Sequence, residues 1–320
     1  MMALSPAMRF VLLVSLCFGT VVSATGSGVG LASWADGLQL RERASSSRQP
    51  PTTAAATTLL PTLLSARGGA KGGSQELGAG LRPRESYHLA RKTFHFSTIM
   101  AFAVVYSSKL PQKEFARGMA ALDTCVLVGE LARLRIDAVN RLLLRVFGAF
   151  MRAHELKKFS GIMYCLAGLG ITSALFPKHI ALLGMLQLAL GDPVAALFGH
   201  ATRSLGWSRV RSGKGLLGAL GCATVLTAAN SVVLTKATFD TGLPSPPPLG
   251  RLVLAAGMIA AWTGLVEVSV PSPQKTLPCE GFPLAFDDNA VLPVLGALGA
   301  AAVFRVLELG SCELRPWLFA

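Results

Sequence analysis

The sequence predicts an all-α fold: a polytopic transmembrane helical bundle of about seven spans that follows an N-terminal signal or anchor segment. Three observations carry this expectation. Hydrophobic residues make up 52% of the chain and charged residues only 15%, with a mean hydropathy of +0.52, whereas an ordinary soluble domain is roughly one quarter charged. The apolar runs are too long and too poor in charge to be the core strands and helices of a soluble domain. The basic residues gather in the segments between those runs, on alternate connections, as the positive-inside rule requires.

The elements follow in order. Arg9 precedes an apolar run that ends near Val22-Ser23-Ala24, a small-residue cleavage pattern, so residues 1–24 read as a secretory signal peptide or an uncleaved anchor. Residues 25–90 read as a leader. Its stretch 44–73 is rich in Ser, Thr, Ala, Pro and Gly and has no acidic residue. Such a stretch buries too little apolar surface to fold, and its basic, hydroxylated composition also suits a transit peptide. The two leader readings place the protein in the endoplasmic reticulum or in a plastid membrane. Seven apolar segments come next, at about 94–108, 118–132, 159–176, 180–199, 215–235, 252–270 and 289–304, within a working domain of residues 91–305. Residues 306–320 form a C-terminal tail.

The net charge is +13. Arg82, Arg84, Arg91 and Lys92 precede the first span, Arg133 to Lys158 fill the connection between spans two and three, and Arg203 to Lys214 follow span four. These three segments share one side of a seven-span protein. The charge therefore belongs to membrane topology, and nucleic acid is not a predicted partner, since no basic-aromatic platform is present. A cleaved secretory signal would put residue 25 on the opposite side from Arg91. A second import step removes that conflict, and so does an uncleaved anchor that adds an eighth span. The six cysteines form no C-x-x-C pair and fall mostly in apolar runs, which indicates neither zinc nor a disulfide framework.

Chemistry-bearing residues stand at the span ends. Asp192 lies inside an apolar span, in Gly191-Asp192-Pro193 through Gly199. A charge at the centre of a membrane helix costs about 2.5–3.5 kcal/mol on insertion scales, and such groups generally face a cavity, a partner or an ion. Pro193 removes a backbone donor, and Gly191 and Gly199 allow a helix or a ligand to approach closely. Arg91 and Lys92, with His95 one turn on, offer forked and compact cations suited to phosphate. Gly213-Lys214-Gly215 and Gly218 open a span with exposed N–H groups, a natural anion site, although the Walker A spacing is absent. Asp287, Asp288 and Asn289 open the last span and Glu267 closes the one before; these oxygens suit a hard cation such as Mg²⁺, with a helix N-cap as the alternative for Asp288 and Asn289. All these groups fall on the basic side. Cations for phosphate, carboxylates for a metal and an apolar acceptor nearby suggest phosphoryl or nucleotidyl transfer to a membrane lipid.

The region from about 91 to 295 resembles the CTP-dependent lipid kinases: fungal-type diacylglycerol kinase, phytol kinase and dolichol kinase. The matching pieces are Arg91-Lys92-x-x-His95, Gly191-Asp192-x-x-Ala195-x-x-x-Gly199, Lys214-x-x-x-Gly218 and Asp287-Asp288-Asn289, in the family's order. The diacylglycerol kinase branch is the most similar, through Arg133-Leu134-Arg135, Gly148, Met151-Arg152, Glu155, Gly161 and Leu175-Phe176-Pro177-Lys178. The resemblance implies transfer of the γ-phosphate of CTP to a lipid hydroxyl with a divalent cation. It implies that Arg91, Lys92, Asp192 and Gly199 are the essential set. The roles expected of the residues are catalysis by Asp192, which holds metal or accepts the hydroxyl proton, with Arg91 and Lys92, and nucleotide or phosphate binding by Lys214, Gly218, Gly191, Gly199 and His95. The metal would fall to Asp288, Asp287, Asn289 and Glu267. The sequence departs from the family at Gly215 and Ala219, where a hydroxyl residue is usual, and at Pro193. The expected acceptor is diacylglycerol, giving phosphatidate. The alternatives are phytol or dolichol as acceptor, a CDP-lipid cytidylyltransferase, or an inactive membrane homologue.

Overall fold

The computed structural model describes residues 89–108, 110–151, 155, 156, 158–205, 214–240, 246–270 and 287–314. The signal segment and nearly all of the leader expected from the sequence lie outside the described residues.

Each of the seven expected apolar segments falls on a helix. These are α1 (Leu89–Ser107), α2 (Gln112–Arg135), α4 (Gly161–Leu175), α5 (Lys178–Ala201), α6 (Leu216–Thr235), α7 (Leu249–Ser269) and α8 (Asp288–Val306). Four of them, α5 to α8, are long and apolar enough to cross a membrane, and α4 is a shorter apolar helix. The protein is therefore a multi-pass membrane protein. Four described elements lie outside the expected set. Helix α3 (Asp137–Phe147) runs into a 3₁₀ turn (Gly148–Phe150), and strands β1 (Thr238–Asp240) and β2 (Ser311–Glu313) pair antiparallel, Thr238 opposite Glu313.

Local sequence sets the boundaries. Pro111 and Pro177 occupy the N-cap positions of α2 and α5, where a missing N–H costs nothing. Helix α2 has Glu114 in its first turn and Arg133 and Arg135 in its last, which complements the helix dipole. It stops at Ile136, whose extended backbone turns the chain into α3. Asp287 caps α8, its side chain accepting the Asn289 N–H at 2.9 Å.

The helices alternate in direction, and one end of the bundle is closed by backbone ties. Lys178 Nζ donates to the carbonyls of Ser108 (2.6 Å) and Leu110 (3.3 Å), and Gln112 Nε2 to those of Ser173 (3.0 Å) and Phe176 (2.8 Å). The β1–β2 pair joins the chain after α6 to the chain after α8 at this same end. The opposite end therefore collects the starts of α1, α4, α6 and α8 and the finishes of α2, α5 and α7.

Between the two ends, close packing fixes α8. A Cβ on Gly168 of α4 would stand 2.8 Å from the Ala290 carbonyl oxygen, and one on Gly184 of α5 would stand 2.6 Å from that of Pro293. Only glycine lets the α8 backbone approach both neighbours. A buried polar tie holds α5, α6 and α7 in register. Gln187 Nε2 donates to Asn230 Oδ1 at 3.0 Å, and Thr263 Oγ1 donates to Gln187 Oε1 at 3.2 Å. Side-chain hydrogen bonds of this kind glue helices where lipid supplies no hydrophobic drive.

Candidate active site

The open end of the bundle gathers Arg91, Lys92, Asp192, Lys214, Glu267 and Asp288 into ion pairs that cross long stretches of chain. On α1, Lys92 and His95 are three residues apart and share a face. That face meets Asp192 of α5. Lys92 Nζ lies 2.5 Å from Asp192 Oδ1, and His95 Nε2 lies 3.7 Å from Asp192 Oδ2. All three side chains are largely buried. His95 Nε2 has no hydrogen-bond partner within the described residues. Two polar atoms 3.7 Å apart cannot bond each other directly, but a third atom between them lies within reach of both.

Arg91 lies on the adjoining face of α1 and turns the other way. Its Nη1 donates to Glu155 Oε1 at 2.7 Å and to the Phe150 carbonyl at 3.3 Å. Glu155 Oε1 also accepts the Gly161 N–H at 3.3 Å. A Cβ on Gly161 would overlap the Arg91 guanidinium, so this glycine makes room for it. A second ion pair supports the strap between Glu155 and Gly161. Arg133, only 2% exposed, binds Glu130 through Nε (3.1 Å) and Nη2 (2.8 Å) and donates to the Lys158 carbonyl at 2.6 Å. Glu130 Oε2 accepts the Ser160 N–H at 2.8 Å. Glu155, Gly161, Glu130 and Arg133 were not among the expected site residues, yet they decide where Arg91 points.

The third cation is Lys214, just before α6. Its Nζ lies 2.9 Å from Glu267 Oε1 of α7 and 3.1 Å from Asp288 Oδ2 of α8. Burial works against the ammonium charge, but the Asp288 and Glu267 carboxylates outweigh it and hold Lys214 above the usual lysine range. Burial, and then the charge of Asp288, push the Asp287 carboxyl up to about 7. Asp288 lies within electrostatic reach of Asp192 and Lys92 as well, so the clusters form one charged system.

The glycines divide by what they face. Gly218 of α6 packs on the α5 backbone, its Cβ position 2.7 Å from the Ala195 carbonyl and 3.3 Å from Gly199 N. Gly191 faces Cys222 Sγ at 3.3 Å. Gly199, in contrast, has open space where a side chain would stand.

The expected metal set divides too. Asp287 and Asn289 are tied together by the α8 cap, while Glu267 and Asp288 share Lys214. Among the described residues no three His, Cys, Asp or Glu side chains converge as a ligand set. The donors still fit a hard cation in kind: Glu267 Oε2 is buried without a hydrogen-bond partner, and a carboxylate oxygen left that way suits a divalent ion.

The arrangement combines buried cations, each already facing a carboxylate, with a carboxylate on a membrane helix beside an unpartnered imidazole nitrogen. Such an arrangement can hold a polyanion beside a group that loses a proton. Comparison with known proteins finds relatives of named activity. No family model and no solved structure matches the chain. The chain is similar to the CTP-dependent diacylglycerol kinase 1 of Saccharomyces cerevisiae, 25% identical over 239 residues that cover 69% of this chain and 75% of the yeast protein. It is 26% identical to that of Eremothecium gossypii over 221 residues (66% of each chain), and 26% identical to that of Schizosaccharomyces pombe over 176 residues, 53% of this chain and 72% of the relative. These matches support the diacylglycerol kinase branch of the CTP-dependent lipid kinases, to which the motifs pointed.

Proposed function

We propose that the protein is a CTP-dependent lipid kinase that moves the γ-phosphate of CTP to the hydroxyl of diacylglycerol, giving phosphatidate and CDP. What supports the reading, beyond the similarity to named diacylglycerol kinases, is the pairing of Lys92 with Asp192 at 2.5 Å on the membrane helices. It brings a phosphate-binding cation and a proton acceptor together where a lipid hydroxyl meets a nucleotide.

In the proposed reaction the acceptor oxygen forms a bond to the γ-phosphorus. The bond from that phosphorus to the β,γ-bridging oxygen breaks, and CDP leaves with the electron pair. Asp192 takes the hydroxyl proton. Arg91, Lys92 and Lys214 neutralise the phosphates, with the N–H groups at Gly215 and Gly218 and the open face of Gly199 available to the nucleotide. Phosphoryl transfer asks the protein mainly for positioning and charge stabilisation, and ion-paired cations on rigid helices supply both. Lys92 and Lys214 each exchange a carboxylate for a phosphate when CTP binds, so a released carboxylate is available as the nucleotide arrives, while Glu155 keeps Arg91 in position. Glu267 and Asp288, with Asp287 and Asn289 behind them, would hold the divalent cation, which when bound offsets phosphate charge. The bundle is read as seven spans with this site on the basic side. Residues 1–90 are read as the leader that delivers the protein to the endoplasmic reticulum or a plastid.

The nucleotide product tests the reaction type. With diacylglycerol and Mg²⁺, α-labelled CTP should yield labelled CDP and γ-labelled CTP should yield labelled phosphatidate. Release of pyrophosphate, with the α-label in lipid, would assign the protein to CDP-lipid synthesis instead.

A further inference from the structure

Helix α3 is the most amphipathic helix of the bundle and the least covered. None of its residues is buried. Among the described residues its substantial contacts are with α2 and the 3₁₀ turn alone. Ala138, Leu142 and Val146 follow one another at four-residue spacing along one edge and are all exposed, Leu142 by 58% and Val146 by 48%. Arg141 and Arg145 form the adjoining exposed edge, and Arg135 is exposed at the end of α2. Among the described residues none of these three arginines has an ion-pair partner. In water the Leu142–Val146 edge would leave an apolar strip uncovered, and a helix that spans a membrane would carry the arginines at a large cost.

The position of α3 narrows what covers it. The helix begins where α2 ends, at the end of the bundle that holds the charged site. It runs straight into the 3₁₀ turn, where Phe150 stacks on Phe94 with ring centroids 4.6 Å apart and its carbonyl accepts from Arg91. One edge apolar and the next cationic is the pattern of a helix lying in the plane of a bilayer interface, and arginines at that depth attract anionic headgroups.

We propose that α3 is an interfacial helix: its Leu142–Val146 edge enters the acyl boundary and Arg141 and Arg145 bind the phosphates of anionic lipids beside the active site. This seats the 3₁₀ turn, and through Phe150 it sets Arg91 at the depth where a lipid hydroxyl lies. The inference rests on the membrane reading of the bundle and is independent of the reaction.

Photo-crosslinking of the full chain tests it without reading activity, so failure of the kinase reading and failure of this one are distinguishable. Benzoylphenylalanine is placed at Leu142 or Val146, and the protein is reconstituted in vesicles of phosphatidylcholine and phosphatidylglycerol. The expected result is lipid adducts at both positions, with phosphatidylglycerol over-represented relative to its share of the vesicle. Arg141→Glu and Arg145→Glu should retain lipid capture and lower that enrichment by at least roughly fivefold each, the loss expected on removing one basic side chain from an anionic surface. Arg141→Gln with Arg145→Gln removes the charges without repulsion and should shift the enrichment the same way if the reversals fail to fold. Adducts to a second copy of the chain, absence of lipid adducts, or enrichment untouched by the arginine changes would each overturn the proposal.

Discussion

Lys92 and Asp192, one hundred positions apart in the chain, meet at 2.5 Å between the first helix and the fifth. Neither is affordable alone on an apolar helix. Together they form a buried ion pair, and a buried pair that loses one partner leaves an uncompensated charge that destabilises by about 3–5 kcal/mol.

Lys92→Met and Asp192→Asn should therefore each lose activity and stability, Asp192→Asn somewhat less stability, because the amide keeps the shape and a hydrogen-bond acceptor for Lys92. Thermal unfolding of the detergent-solubilised variants, alongside a phosphotransfer assay, separates the two effects. Unfolding temperatures unchanged from wild type in both variants would remove the ion-pair account.

Glu155 should behave as a positioning residue for Arg91. Glu155→Gln keeps an acceptor for the Gly161 N–H but gives up the charge-assisted bond to Arg91, about twice as strong as a neutral one. The expected result is a KM for CTP raised on the order of tenfold, with a smaller change in kcat. Glu155→Asp should recover part of the loss. A variant with unchanged KM and uniformly lower specific activity would indicate a merely structural role.

Two glycine substitutions should part company. Gly161→Ala pushes on the far end of the flexible Arg91 side chain, whereas Gly168→Ala pushes on the Ala290 backbone of α8. The first should fold and lose about tenfold or more in activity. The second should lower yield and unfolding temperature by an amount typical of overpacking, about 1–3 kcal/mol. Size-exclusion profiles and activity per folded protein check both.

The hydroxyl missing beside Lys214 has room to return. A Cβ on Gly215 would make only ordinary contacts, 3.6 Å from Gly199 Cα and 3.8 Å from Gly218 N. Gly215→Ser should therefore fold normally and lower the KM for CTP. An unfolded or inactive Gly215→Ser would mean that the backbone here, and not a side chain, holds the phosphates.

Much of this was legible in the sequence because the membrane forces it to be. The apolar runs at α5 to α8 had to be helices, and Asp192 stood out because a charge on such a helix demands a reason. Arg91, Lys92, His95, Lys214, Glu267 and Asp288 were placed at one end by counting spans, and they meet there. Helix α3 escaped because its arginines read as a charged loop, although Ala138, Leu142 and Val146 at four-residue spacing carried the signal. Glu155 was visible only through the family resemblance, and its role could not be read locally because it depends on a partner 64 positions away. The carboxylates at 287 and 288 share a sequence motif but not a task. Asp287 turns back to cap α8 and Asp288 reaches Lys214, a split that depends on backbone direction at the helix start. The β1–β2 pair joins three-residue strands far apart in the chain, too short to show a pattern.

The central claim is that the Lys92–Asp192 cluster transfers the γ-phosphate of CTP to a lipid hydroxyl. Its most direct test is reconstitution in mixed micelles with Mg²⁺, offering γ-labelled CTP or ATP and diacylglycerol, phytol or dolichol, with Asp192→Asn in parallel. The account predicts label in phosphatidate, from CTP and not ATP, and none from the variant. Folded wild-type protein that labels no lipid, or an Asp192→Asn variant that labels as well as wild type, would contradict it.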